Sequence, residues 1–142
     1  MGSEINFWYI LLSGVTSTLI GFFWYGPIFG KIWMKDSLNI DQTTEEGQRK
    51  MKEMQKKGAT TPMIVSIFGW LITAYILSNL FSMLEITNVS EGLKIVFWLW
   101  LGFTVPMKTT TVLFSNHPRR LIFIDTGYWL VTLIFITILL TI

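Results

Sequence analysis

The sequence predicts an all-α, polytopic membrane protein with four transmembrane helices and a short cytoplasmic helix between the first two. Three observations predict it. The 142 residues are 51% hydrophobic, 15% aromatic and only 14% charged, with positive mean hydropathy, a balance outside the usual soluble range. Apolar runs fall at residues 5–25, 62–84, 92–114 and 119–142, each near the roughly 20 residues that cross a bilayer's hydrocarbon core. Basic residues are segregated as well, since seven of the eleven Lys and Arg lie between Lys31 and Lys57 and two more are Arg119 and Arg120. The four runs use most of the chain, so residues 1–142 read as a single four-helix transmembrane domain with a polar insert at 31–60.

Charge position sets the topology. With four crossings, the 31–60 insert and the Arg119-Arg120 turn share one side, and the positive-inside rule makes that side cytoplasmic with both termini outside. The expected location is the inner cell membrane. The formal charge of +2 does not indicate nucleic acid, because the basic residues of the insert are mixed with Asp36, Asp41, Glu45, Glu46 and Glu53. The absence of cysteine excludes a disulfide framework and a thiolate site. The first run follows Glu4 rather than a basic segment and lacks a small-residue cleavage pattern, so it reads as a retained helix rather than a signal peptide.

Helix 1 begins after Ser3-Glu4 and places Trp8 and Tyr9 near one headgroup layer, with Trp24, Tyr25 and Trp33 near the other. Ser13, Ser17 and Gly21 recur every four residues, with Gly14 and Thr18 beside them, which makes one face small enough for close helix approach. A polar pathway face is the other reading of that stripe. Gly26-Pro27 ends the helix, and the chain is expected to turn along the inner interface, where Lys31 and Lys35 reach anionic headgroups.

Several short motifs here resemble those of a known family. They are Gly21-Phe22-Phe23-Trp24-Tyr25-Gly26-Pro27 with Phe29-Gly30-Lys31 and Trp33, then Trp100-Leu101-Gly102-Phe103, Val112-Leu113-Phe114 and Gly127-Tyr128-Trp129-Leu130. Together they resemble small bacterial four-helix membrane proteins classed as a domain of unknown function. The resemblance implies a four-helix membrane fold and supplies no activity.

In the insert, Thr43 and Glu46 have capping-box spacing, and Glu46/Lys50 and Glu53/Lys57 are acid-before-base pairs four apart, so a short helix to about Lys57 is expected. Helix 2 starts at Thr61-Pro62; within it Asn79 is expected to bond across to a neighbouring helix. The short loop from Glu85 to Ser90 makes helices 2 and 3 antiparallel neighbours, and Ser90 is the expected N-cap of helix 3. Pro106 predicts a kink, because it cannot donate to the Gly102 carbonyl and its ring crowds that turn. Beyond Thr132 helix 4 is almost wholly aliphatic, which predicts lipid contact in its outer half.

The candidate site is the hairpin from Gly102 to Thr132, turned at Ser115-Asn116-His117-Pro118. Lys108 and Asp125 lie at matching distances from the turn, so an antiparallel pair brings them to one depth. Thr104, Lys108, Thr111 and Ser115 share a face of an ideal helix, answered by Asp125, Tyr128 and Thr132 on helix 4. Ionisable groups at that depth are costly and commonly functional. The pair reads as a static bridge fixing helix packing, as a snorkelling Lys108 with a protonated Asp125, or as a gated ion or proton site supported by Tyr128 and Thr104. His117 is alone, and no phosphate loop, nucleophile elbow or metal motif is present; no enzyme and no cofactor are expected. The leading expectation is an oligomeric transporter or channel-like protein. The alternatives are an accessory subunit of a larger membrane complex, or a lipid-binding protein with a ligand between Trp70, Tyr128 and Trp129. Membrane lipid and either a homo-oligomer or a complex partner are the expected partners.

Overall fold

The computed structural model describes residues 6–142; the expected helix start at Ile5 and its Ser3-Glu4 lead lie outside them. Seven α-helices run in order: α1 (Phe7–Phe23), α2 (Gly30–Leu38), α3 (Glu45–Lys57), α4 (Thr60–Met83), α5 (Val89–Leu99), α6 (Val105–Phe114) and α7 (Arg120–Thr141). Two π turns, Trp24–Ile28 after α1 and Trp100–Thr104 between α5 and α6, extend them. Four segments are long and apolar enough to cross a membrane: Phe7–Ile28, Thr60–Met83, Val89–Phe114 and Arg120–Thr141. The expected four helices are all present.

Both π turns occur at a proline. Proline has no N–H to donate and its ring crowds the carbonyl four residues back, and the wider π turn is one way a helix absorbs that misfit. Pro27 lies inside the first, which is closed by the Phe29 N–H on the Trp24 carbonyl at 2.9 Å. The second ends just before Pro106 and is closed by the Val105 N–H on the Trp100 carbonyl. The disturbance expected at Gly102 and Pro106 therefore takes the form of a π turn that contains Gly102.

The expected polar stripe of α6 is not turned to α7 as a whole. Thr104, the last residue of the π turn, is buried, Lys108 is half-exposed, and Thr111 and Ser115 are exposed. Thr111 turns its hydroxyl back onto the Met107 carbonyl at 2.9 Å. The face of α6 that meets α7 is carried by Val112, which packs with Leu121 and Ile124.

α7 is the central element, packed against α1, α4, α5 and α6. In its C-terminal half, expected to contact lipid, one face is packed instead: Thr132, Leu133, Ile136 and Thr137 are buried while Phe135 is exposed. Gly92 explains this, since a Cβ there would lie 2.6 Å from the Thr137 methyl and 3.3 Å from that of Thr141. Only glycine lets α5 come so close. On the other side Gly14 does the same for α4, where a Cβ would meet Leu71 at 2.6 Å. The small-residue face of α1 is thus a packing face, and Ser13, Ser17 and Thr18 each return their hydroxyl to the carbonyl four residues earlier in their own helix.

Helices 2 and 3 are less intimate than their short loop suggested. α4 packs chiefly on α1, and a cleft of about 260 Å³ separates its Ile72 and Ile76 from Leu99 and Phe103, with Trp129 and Leu133 as its floor. Asn79 donates to the Tyr75 carbonyl of its own helix at 2.8 Å, not to a neighbour. Asn88 rather than Ser90 caps α5, accepting from the Glu91 N–H. In the insert Thr44 rather than Thr43 caps α3, accepting from the Gly47 N–H at 3.0 Å. Thr43 is already committed, because its N–H and hydroxyl both donate to Asp41.

Candidate functional site

The two π turns do more than accommodate proline. Each begins with a tryptophan, and each tryptophan reaches α7. The Trp24 indole N–H donates to the Ile124 carbonyl at 2.9 Å, and the Trp100 indole N–H donates to the Thr126 carbonyl at 2.8 Å. Two helices therefore grip α7 on either side of one residue, Asp125. Gly127 makes room for this, since a Cβ there would lie 3.0 Å from the Trp24 ring.

Asp125 is half-buried, and its Oδ1 accepts the Tyr25 hydroxyl at 2.8 Å. It lies five residues beyond Arg120, about 7.5 Å along the helix axis. Tyr25 stacks edge-on against Tyr128, with ring centroids 5.1 Å apart, and against Trp33 at 5.3 Å. Tyr128 accepts from the Trp70 indole N–H at 2.9 Å and donates to the Ser17 carbonyl at 3.3 Å. Gly21 leaves the space that this hydroxyl occupies, 3.0 Å from where a Cβ would stand. Trp24 and Tyr25, expected as an interfacial belt, are turned inward instead. Buried indole and phenol groups need partners, and the carbonyls and carboxylate of α7 provide them.

The expected Lys108–Asp125 pair is not formed. Ion pairs among the described residues are Lys35–Asp41, Lys50–Glu46 and Arg120–Asp36. Tyr25 occupies Asp125, and Lys108, half-exposed, lies past the π turn on a helix whose contact with α7 is made by Val112. A lysine six residues from the end of its helix reaches the interface by extending its arm. Of the other expected site residues, Tyr128 joins Asp125 through Tyr25, Thr104 lines the lateral cleft beside Trp100, Thr111 points outward, and Gly102 and Pro106 are exposed. Lys31 is exposed and Trp33 half-buried.

At the end of the bundle nearest Asp125 is a polar vestibule of about 450 Å³. It is lined by Lys35, Asp36, Asn39 and Asp41 from the insert and by the turn Ser115 to Pro118, including His117. Its wall is pinned by Arg120, which donates from Nε and, at 2.6 Å, from Nη2 to the two oxygens of Asp36. Those hydrogen bonds hold the Asp36 carboxyl below the usual carboxylate range against the opposing effect of its burial. Asp36 and Arg120 stand 84 residues apart, and no local pattern announces their pairing. A signal for the tryptophan grip does exist: Trp24-Tyr25-Gly26 and Trp100-Leu101-Gly102 share a spacing, and each is followed by a proline.

Chemically, a carboxylate held by one tyrosine hydroxyl in aromatic surroundings, on α7 toward the vestibule end of the bundle, offers a site for a small cation. Among the described residues no three His, Asp or Glu side chains converge as metal ligands. No curated protein and no solved structure matches the chain. Residues 8–141, a stretch that holds every side chain of this site, match the family described as a protein of unknown function, DUF1761, and the chain belongs to that family.

Proposed function

We propose that the protein is a small, non-enzymatic transporter of the inner cell membrane, working as a homo-oligomer, with Asp125 as its proton- or ion-binding group. The observation that carries this reading is the placement of Asp125, which accepts from Tyr25 and stands seven residues along the chain from Pro118 in the wall of the polar vestibule. Apart from Glu91 in the first turn of α5, it is the one carboxylate within the four apolar spans. An ionisable group in that position is expensive to keep and usually serves transport or a proton relay. The oligomer follows from packing: the centre of one protomer is filled by Trp70, Ala74, Val96, Tyr128 and Ile136, so a route would run between protomers. The 31–60 segment, with its excess of lysine, would face the cytoplasm, and both termini the outside.

A second reading has its own observation. The lateral cleft between α4 and the third span is apolar apart from Thr73 and Thr104 and opens beside Trp129, which suits an acyl chain and a lipid-binding protein. Proteoliposomes separate the two. The transporter reading requires that purified protein discharge an imposed pH gradient faster than empty vesicles and that Asp125→Asn return the rate to that of empty vesicles. Equal rates for the wild type and empty vesicles would defeat it and leave the lipid reading.

A further inference from the structure

A second cavity, of about 270 Å³, lies beside α2; it shares Lys35 and Asp41 with the vestibule and is not lined by Asp125 or Tyr25. Its cations are Lys31, Lys35 and Arg120. Lys31 and Lys35 stand one turn apart on α2 and so share a face. Arg120 opens α7, and Ile28 closes the first membrane-spanning segment three residues before Lys31. The three charges therefore gather at the boundary of the apolar spans, the level at which lipid phosphates lie.

Arg120 is oriented before any ligand arrives. Asp36 engages its Nε and Nη2, and a guanidinium carries five N–H donors, so three remain on a fork whose plane is fixed. Lys35 is held loosely, 3.6 Å from Asp41 with most of its side chain exposed. Lys31 forms no ion pair among the described residues. Three cations against the two carboxylates Asp36 and Asp41 leave an excess of one positive charge, matched by one phosphodiester. Gln42 and Thr43 add polar groups to the wall, and Ile32, exposed beside the lysines, continues the apolar surface of Ile28.

We propose that Lys31, Lys35 and Arg120 form a binding site for the phosphodiester of an anionic glycerophospholipid in the leaflet that faces α2. The exposed isoleucines next to the cations favour a lipid over a soluble anion, because they give the acyl chains an apolar path out of the site. The site does not depend on transport.

The test uses full-length protein in detergent, titrated with nanodisc-derived phosphatidylglycerol or phosphatidylcholine and read by native mass spectrometry. Wild type should retain phosphatidylglycerol selectively. Lys31→Gln with Lys35→Gln should weaken that retention by about thirtyfold, from the contribution expected of two juxtamembrane lysines, and leave phosphatidylcholine unchanged. This double variant keeps the Arg120–Asp36 pair, so its folding, checked by circular dichroism, is independent of the result. Unchanged phosphatidylglycerol retention in the double variant would overturn the site. So would an equal loss from Lys52→Gln with Lys56→Gln on α3, which would mark a diffuse charge effect. Displacement of the lipid by millimolar inorganic phosphate would overturn the lipid assignment.

Discussion

Replacing Tyr128 by Phe removes one oxygen from the middle of the bundle and leaves the ring. The hydroxyl accepts from Trp70 at 2.9 Å and donates to the Ser17 carbonyl at 3.3 Å. These bonds are not equivalent. The Ser17 carbonyl belongs to a helix and keeps its intrahelical partner, and the contact to it is long, so its loss is minor. The Trp70 side chain is buried and its indole has a single donor and no other recorded partner, so the variant strands that N–H in a medium without water. An orphaned buried donor costs about 1–3 kcal/mol, while measured hydrogen bonds inside membranes average nearer 0.6 kcal/mol; a loss of about 1–2 kcal/mol is expected. The assay is reversible unfolding in mixed micelles, followed by circular dichroism, for Tyr128→Phe, Trp70→Phe and the double variant. Because the residues are in contact, the cycle should show a coupling of about 1 kcal/mol. Additive effects, with a coupling below about 0.3 kcal/mol, would refute the assignment of this bond as a tie between α4 and α7.

Three further outcomes are expected. Gly21→Ala would place a methyl 3.0 Å from the Tyr128 hydroxyl, which two hydrogen bonds hold in place, and should destabilise the bundle by about 1–3 kcal/mol in the same unfolding assay. Gly69→Ala, which meets nothing within 4 Å, should be neutral or stabilising by up to about 1 kcal/mol. Asp36 has a pKa depressed in the folded state by Arg120, so its stabilising contribution is full above the ordinary carboxylate pKa of about 3.9 and is lost as the pH falls through the lower folded value. Thermal unfolding of the wild type should therefore weaken on acidification across that window, and Asp36→Asn should flatten that part of the profile.

What the residues made legible was the architecture set by local rules. Four apolar runs of spanning length, the small residues Ser13, Gly14 and Ser17 on one face, and the proline disturbance near Gly102 are all local signals, and each has its counterpart in the structure. The site was only half legible. Asp125 stood out as a carboxylate in an apolar run, but its partner was misassigned, because equal distances from the turn at His117 made Lys108 the arithmetic choice. That arithmetic fixes depth along a helix and not the direction in which a side chain leaves it. α6 turns Val112 rather than Lys108 to α7, and Tyr25, 100 residues away in sequence, takes the carboxylate instead. The ring of Tyr25 points inward because α7 offers acceptors to a phenol and two indoles, information held by no one segment. The C-terminal half of α7, with one packed face and Phe135 exposed on another, is only half legible for a similar reason. An aliphatic helix in a membrane protein looks the same whether lipid or another helix surrounds it, and only Gly92, on a different span, indicates which.

The central claim is that Asp125, without Lys108, is the ionisable group on which activity depends. Proton flux into vesicles driven by an imposed potential tests it directly, with Asp125→Asn and Lys108→Met reconstituted at equal protein content. The account predicts flux at the empty-vesicle rate for Asp125→Asn and wild-type flux for Lys108→Met. Flux that survives Asp125→Asn, or that Lys108→Met abolishes, would contradict it.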